Sequence, residues 1–392
     1  MNILMISHHR KHKTVARSHA MAVQLINRGH SVTLMVIAET RKFGIVESEW
    51  DGVRVIETPN LLWGRLRSGW DLWGLINRIH YLSKDDGQYD LIHCFETRPE
   101  TIYPALYYSK KKHLKIITDW NDWWGRGGII DINRPKWYGL IFGKMETFFE
   151  EEFRAKAAGL TIISKGLEER AINLGVPIEN ICYIPGGTFP EKFPMRDKQE
   201  CRRKVGFPLD DPIIGFSSAD SHFDLEMVLA SLKIVAQKYP AVKLIITGKT
   251  RNSLEILIKS YRLENNVKLV GYLPFDELPW FLGSADVFIL PFPNKPYNVG
   301  RWPNKIGDYM CLGRPTVSNP VGDVKQLFES SQIGYLAEWN AEDIAKKLIL
   351  LIEDTETANY FGLQARQLGE TTYNWKNLIV KLEQFYERMA HS

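Results

Sequence analysis

The stretch from Asn298 to Val317, NVGRWPNKIGDYMCLGRPTV, gathers residues whose types and spacing suit the capture of a phosphate-bearing ligand. Arg301 precedes Trp302-Pro303, and the proline stands where a helix takes its first turn, a place that tolerates a missing N–H. Lys305 follows inside that turn. Ile306, Tyr309 and Met310 repeat at helical spacing, and Gly313 with Pro315 stops the helix before the short apolar run Thr316-Val317. The free N–H groups and positive dipole end of such a helix attract phosphate, and Arg301 and Lys305 add full charges beside it. Asp308, one turn further on, is placed to accept hydrogen bonds from a polyol. The combination suits a nucleoside diphosphate that carries a sugar. An ordinary amphipathic helix with a proline start and a glycine stop has the same local pattern, so the rest of the chain must decide.

A site of this kind needs strand ends to hold it. Asn2–Ile6 reads as a short apolar strand. A helix follows in which Met21 pairs with Leu25 and Ala22 with Ile26. Gly29 caps it, and Ser31–Ile37 is the next strand. Strand, helix and strand in this order are the repeating unit of a parallel sheet. Val53–Glu57, Leu91–Cys94, Lys115–Thr118 and Leu160–Ser164 continue the series as a doubly wound sheet of the Rossmann kind. Periodicity fades between Pro185 and Pro212, in a stretch rich in glycine, proline and charge that reads as an interdomain linker. A second series runs through Ile213–Phe216, Val242–Thr247, Val267–Leu269, Val287–Leu290 and Thr316–Ser318. Trp375–Met389, with Leu378, Val380, Leu382 and Phe385, reads as a closing helix. The expectation is an α/β chain of two Rossmann-like domains facing across a cleft: residues 1–190, residues 191–372, and a closing helix, 373–392.

Composition narrows the class. The chain has 392 residues, 44% hydrophobic and 24% charged, and its net charge of +4 is too mild for a nucleic-acid binder. Cys94, Cys182, Cys201 and Cys311 are scattered without a C-x-x-C pair and read as reduced thiols. No secretory signal and no bilayer-length apolar run is visible, so a cytoplasmic protein, or one lying on the inner face of a membrane, is expected. Of the 12 tryptophans, eight fall before residue 140, which gives the two halves different work.

Several runs together carry a resemblance: LINRGHSVTLMV at Leu25–Val36, YDLIH at Tyr89–His93, AAGLTIISKGLEERAINLG at Ala157–Gly175 and YIPGG at Tyr183–Gly187. VKLVGYLPFDELPWFLGSADVFILP at Val267–Pro291 and PVGDVKQLF at Pro320–Phe328 flank the opening motif. Their order and spacing over nearly the whole chain resemble the GT-B glycosyltransferases of the retaining group 1 class (family 4). The resemblance implies that the second domain binds a nucleotide-sugar and the first an acceptor. By position, Tyr272 would lie beside the base. The segment with Asn298, Gly300, Arg301, Asn304, Lys305 and Asp308 would hold the diphosphate and sugar. The closing helix would cross back onto the first domain. The nucleotide-sugar is a co-substrate, and no cofactor is implied.

Three departures stand out. Relatives often carry two glutamates around the sugar-binding turn, where this chain has Gly300 and Asp308. They commonly place Arg and Lys after the first strand of the second domain, where this chain reads GFSSADSHFD, with Ser217 and His222 near those sites. The first loop, HHRKHKTVARSH, lacks the usual glycines; His8, His9, His12 and His19 match no zinc spacing there, and the loop reads as a basic lining for an anion.

The segment TDWNDWWGRGG at Thr118–Gly128 follows a strand and should line the cleft. Relatives often have a His-Asp pair here, and Asn121-Asp122 occupies those positions. Asn121 carries no proton, so catalysis would rest on phosphate stabilisation and positioning, with Asp122, or alternatively Asp119, in an orienting role. A solvated strand-end carboxylate is the plainer reading of either. No Asp-x-Asp triplet is present, so no essential metal is expected. Trp63, Trp70 and Trp73 mix with Arg65, Arg67 and Arg78 in Leu61–Lys84. With Trp123, Trp124, Trp137 and the KKKH run at Lys110–His113 they suit an anionic membrane surface or a lipid-linked acceptor. Filling the core is the alternative for each ring. The expected function is transfer of a sugar to a glycan or lipid-linked acceptor. A nucleotide-sugar epimerase and a non-catalytic binding subunit of the same fold are the alternatives.

Overall fold

A computed structural model describes residues 1–10, 17–61, 68–132, 134–217, 222–249 and 252–391. Contacts divide the chain into two units, one of residues 1–185, 299–302 and 375–392, the other of residues 186–298 and 303–374. The sequence reading had set its divisions at 190 and 372.

The first unit holds strands β1 (Asn2–Arg10), β2 (Ser31–Ile37), β3 (Val46–Trp50), β4 (Val53–Thr58), β5 (Leu91–Phe95), β6 (Lys115–Trp120), β7 (Gly159–Ile162) and β8 (Ile181–Tyr183). They form one sheet in the order β3-β4-β2-β1-β5-β6-β7-β8, parallel except for β3. Helices cover both faces of such a sheet, which is why β1 and β5 read as continuous apolar runs rather than alternating ones. Leu4, Ile6, Met35, Ile56 and Ile92 form one buried cluster among its strands. The edge strand β3 escaped the sequence reading. It turns onto β4 through Asp51-Gly52, whose φ angles of 50° and 79° make the tight two-residue hairpin that an Asp-Gly pair favours.

The last helix, Trp375–His391, groups with the first unit, the domain onto which the resemblance would have it cross back. Phe385 and Tyr386 are buried, and a Cβ on Gly159 of β7 would come within 2.7 Å of the Phe385 ring. The Tyr386 hydroxyl meets His93 Nδ1 at 2.6 Å, and His93 Nε2 meets Thr161 Oγ1 at 3.1 Å. Burial pushes the His93 imidazole down to about 4, so it stays neutral and serves as a hydrogen-bonding core residue. Glu383 on the outer side takes hydrogen bonds from Arg28 Nε and His30 Nε2, both at 2.7 Å.

The second unit holds β9 (Ile213–Ser217), β10 (Lys243–Thr247), β11 (Val267–Gly271), β12 (Val287–Leu290), β13 (Thr316–Ser318) and β14 (Gly334–Leu336). All pair in parallel in the order β11-β10-β9-β12-β13-β14. Counted along the chain this is 3-2-1-4-5-6, the Rossmann order, whose direction reverses between β9 and β12 and leaves a crevice beyond their carboxyl ends.

The expected linker at Pro185–Pro212 contains an α-helix, Lys198–Val205. Asp197 caps its start by accepting from the Glu200 N–H at 2.9 Å, and Gly206, at φ 73°, ends it. Only Cys201 and Val205 are apolar within it, so no apolar stripe betrayed it. Buried Arg202 anchors it instead, donating to the Ser284 carbonyl at 3.0 Å and pairing with Asp286 at 2.6 Å.

Because Phe385 fills space that Gly159 leaves open, Phe385→Ala should destabilise the first unit by about 3–5 kcal/mol. Tyr386→Phe should cost about 1 kcal/mol for one buried hydrogen bond. Denaturant unfolding followed by tryptophan fluorescence checks both, and an unchanged midpoint for Phe385→Ala would mean that the last helix is not part of this core.

Candidate active site

At the reversal point of the second unit, the end of β9 is fixed by a side chain that the sequence reading took only for core. Tyr309 stacks on Phe288 of β12 with ring centroids 3.8 Å apart and planes 5° apart. Its hydroxyl oxygen accepts the Ser217 N–H at 2.8 Å. Gly215 makes room for that stack, since a Cβ there would meet the Phe288 ring at 2.5 Å. Tyr309 lies on the helix Asn304–Cys311, so one ring ties the helix to the strand end beside it.

That helix begins one residue later than the sequence implied, with Pro303 as N-cap and no side-chain cap on its first N–H groups. Gly313, at φ 65°, stops it as expected. Lys305 in its first turn stands with its ammonium 5.0 Å from the centre of the Phe216 ring, at the end of β9. Asp308 is half-buried; burial pushes its carboxyl up to about 7, with Lys305 pulling the other way. Asn304 is exposed beside them.

Other expected donor residues stand differently. Asn298 is fully buried, and its Nδ2 donates to the Pro293 carbonyl at 2.7 Å, so its amide braces the loop from within. Tyr272 is exposed just past β11, two strands from β9. His222 opens a helix, and its side chain lies outside the described residues.

The first unit builds a separate polar cluster at the ends of β5 and β6. Glu96 follows β5 with φ 65°, and its carboxylate accepts from Arg154 Nη2 at 2.6 Å and from the Asn121 N–H at 3.0 Å. Glu150 accepts from the Trp124 N–H at 2.7 Å, the Gly125 N–H at 2.7 Å and Trp120 Nε1 at 3.1 Å. Guanidinium groups cover the indoles: Arg98 lies 4.7 Å from the Trp124 ring, Arg154 4.5 Å from Trp120, and Arg170 4.2 Å from Trp123. Asp122 sits within this frame, its carbonyl accepting Trp120 Nε1 at 2.9 Å. Burial, with the nearby Glu96 charge, pushes its carboxyl up to about 7, while Arg301 and Arg98 pull it down. Asp122 is thus a carboxyl able both to donate and to accept near neutrality.

Asp119, the alternative, is fully buried; it takes Thr161 Oγ1 at 2.5 Å and Arg17 Nε at 3.2 Å. It is an ion-pair partner inside the sheet. Gly300, grouped with the first unit, lies where a Cβ would come within 2.7 Å of Trp123 Cβ. That contact is the physical reason a side chain is missing from this turn.

The tryptophans thought to meet a membrane are mostly packed. Trp70 meets Phe149 edge-on at 5.1 Å, Trp73 donates Nε1 to the Lys42 carbonyl at 2.9 Å, and Trp123 donates to the Arg126 carbonyl at 2.8 Å. Arg78 is fully buried and bonds Thr58, Glu100 and Ser7, which corrects its placement at a lipid surface. Trp63, Arg65 and Arg67 lie outside the described residues. Sequence reasoning missed Glu96, Arg98, Glu150, Arg154 and Arg170. The ETRPE run right after β5 was the available signal for the first two. Among the described residues no group of three or more His, Cys, Asp or Glu side chains could hold a metal.

Two doubly wound α/β units, each with a polar cluster at the carboxyl edge of its sheet, have the architecture of the GT-B fold. Comparison with known families identifies it further: "Glycosyl transferases group 1" matches residues 197–368, and "Glycosyl transferase 4-like domain" matches residues 14–187. The chain belongs to the group 1 glycosyltransferases. An amylovoran biosynthesis glycosyltransferase of Erwinia amylovora is 28% identical over 58% of this chain and 56% of its own length. An uncharacterised 42.6 kDa protein from the cps region of Klebsiella pneumoniae is 24% identical over 78% of this chain and 81% of its own. The chain spans only about half the length, or less, of the curated relatives it matches first. In fold it is similar to sucrose-phosphate synthase of Thermosynechococcus elongatus, with TM-score 0.75, 17% identity and full coverage of both chains. It is also similar to Anabaena HepE in complex with UDP and glucose, with TM-score 0.70, 15% identity and 100% and 99% of the two chains covered.

The raised Asp122 carboxyl has a consequence for stability. The folded state keeps its proton up to about pH 7, whereas an unfolded aspartate loses it near pH 4. Stability from this group is therefore present below about pH 4 and is lost as pH rises through about 7. Asp122→Asn should leave the melting temperature little changed at pH 4 and raise it relative to the parent at pH 8. Thermal melts across that range check it, and a difference independent of pH would remove the claim.

Proposed function

We propose that the protein transfers a hexose from a nucleoside diphosphate-sugar to a saccharide or lipid-linked saccharide acceptor, with retention of configuration and without a metal ion. The observation that carries this reading is the crevice of the second unit, where the uncapped helix start, Lys305 and Asp308 stand at the end of β9. The N–H groups and Lys305 suit the diphosphate, and they would stabilise the charge it gains as the glycosidic bond to it breaks. Asp308, its carboxyl raised to about 7 and so only partly charged at neutrality, suits sugar or ribose hydroxyls better than a full anion would beside a phosphate.

Retention fits a reaction in which the departing phosphate oxygen accepts the proton of the incoming hydroxyl on the same face, so no strong protein base is needed. Asp122 then orients a hydroxyl of acceptor or sugar. Solved relatives of the same fold lend support: HepE structures are described with UDP and with UDP-glucose, and TarM with UDP. Several curated relatives are described as glycosyltransferases of amylovoran or colanic acid biosynthesis, which favours an extracellular polysaccharide as the product.

Calorimetry of the purified protein with UDP, GDP and ADP tests the donor. One diphosphate should bind selectively, and Lys305→Ala should weaken it by about 1–3 kcal/mol. No binding at millimolar ligand would overturn the donor site. Transfer should persist in EDTA; activity lost there and restored by magnesium would overturn the metal-free step.

A further inference from the structure

The helices Pro99–Lys112 and Lys136–Ala155 of the first unit leave a broad apolar face in water. On the second helix Trp137 is 59% exposed, Leu140 84%, Ile141 64% and Phe148 49%. Their spacing places them on one side of the helix. On the first helix Tyr103, Leu106 and Tyr107 are exposed in the same manner. The two faces join, because the Tyr103 ring meets Phe149 at 5.7 Å and Phe153 at 6.0 Å, and Phe148 meets Phe153 at 5.7 Å.

The charges on this face share one sign. From Pro99 to Lys112 and from Lys136 to Glu150, every exposed position is apolar, aromatic or lysine, the lysines being Lys110, Lys111, Lys136 and Lys144. The carboxylates of those stretches, Glu100, Glu146 and Glu150, are buried. Further along, Glu151 pairs with Arg126 and Arg170, and Glu152 with Lys156. A second copy of the chain would set lysine against lysine with no carboxylate between them. An acidic surface with an apolar interior is the complement.

We infer that this face is a docking surface for an anionic lipid bilayer. Trp137, Leu140, Ile141 and Phe148 enter the boundary between headgroups and acyl chains, and Lys110, Lys136 and Lys144 meet lipid phosphates, while Lys111 donates to the Leu82 and Ser83 carbonyls. Among the described residues no helix is long and apolar enough to cross a membrane, so attachment is to one leaflet. The inference stands apart from the sugar-transfer reading, since it needs no donor.

Flotation of the full chain with phosphatidylcholine vesicles, with and without phosphatidylglycerol, is the test. The parent should float with the anionic vesicles, less so in high salt. Leu140→Asp with Ile141→Ser should abolish flotation. Replacing Lys110, Lys136 and Lys144 by glutamine should weaken it about a hundredfold, at roughly fivefold per lysine at low salt. These positions are exposed, so the variants should keep the parent's melting temperature and nucleotide binding. No flotation by the parent would overturn the proposal. So would a solution dimer, seen in sedimentation equilibrium, that Leu140→Asp dissociates while the parent ignores vesicles. Failure of every nucleotide to bind would strike the donor reading and leave this one standing.

Discussion

A single carboxylate, Glu150, takes hydrogen bonds from Trp120 Nε1, the Trp124 N–H, the Gly125 N–H and Arg170 Nη2. It stands on a long helix, yet all these donors lie off that helix: one is the last residue of β6, two are in the turn that follows it, and one is in the helix after β7. Burial favours its neutral form, and the cations Arg154 and Arg170 oppose that tendency. Removing one member of such a buried pair typically costs about 3–5 kcal/mol, because the other charge is left without a partner. The turn that carries Asp122 therefore has little freedom. Its backbone is clamped by Glu150 on one side and by Glu96 at the Asn121 N–H on the other. The orientation of Asp122 is thus a property of the frame behind it.

The two units meet the same demand, a polar group held still at a strand end, with different means. The first uses charges stacked on indoles, where planar guanidinium groups can lie flat and still donate at their edges. The second uses a neutral device. Tyr309 is stacked on Phe288 and bonded to the Ser217 N–H, so the β9 end and the helix start move together. A neutral support suits a crevice meant for an anion, because it neither competes for nor repels the phosphate. The cationic frame of the first unit suits the opposite task of keeping carboxylates buried.

The fold was largely legible because parallel strands buried on both faces are dense apolar runs and the helices between them end at glycines. What escaped has physical reasons. The strand Val46–Trp50 is an exposed edge with little apolar content, although the Asp51-Gly52 turn announced it. The helix Lys198–Val205 is held by Arg202 rather than by an apolar stripe, so periodicity had nothing to find. Near the two strand ends, spacing along one segment brought Lys305 and Asp308 together in the sequence reading, whereas Asp122, in a separate segment, was reached through the resemblance. Glu96, Glu150, Arg154 and Arg170 were not, because they converge from separate elements and each looks like an ordinary surface charge in isolation. The tryptophans misled for the converse reason: a Trp-Arg pairing reads as an interfacial belt, but the same pairing also packs well inside a domain.

Gly300 shows how a departure from a family pattern can be compensated by packing. Trp123 fills the space into which a side chain at 300 would project, and a Cβ on Gly166 would meet the Val299 carbonyl oxygen at 2.4 Å. Two glycines and an indole therefore hold this turn by close contact, with no carboxylate in it. Under the function proposed here, sugar recognition then falls more heavily on Asp308, a shorter acid than glutamate whose carboxyl burial raises to about 7. In its protonated form such a carboxyl can both donate and accept a hydrogen bond, and it carries no charge that would repel a diphosphate.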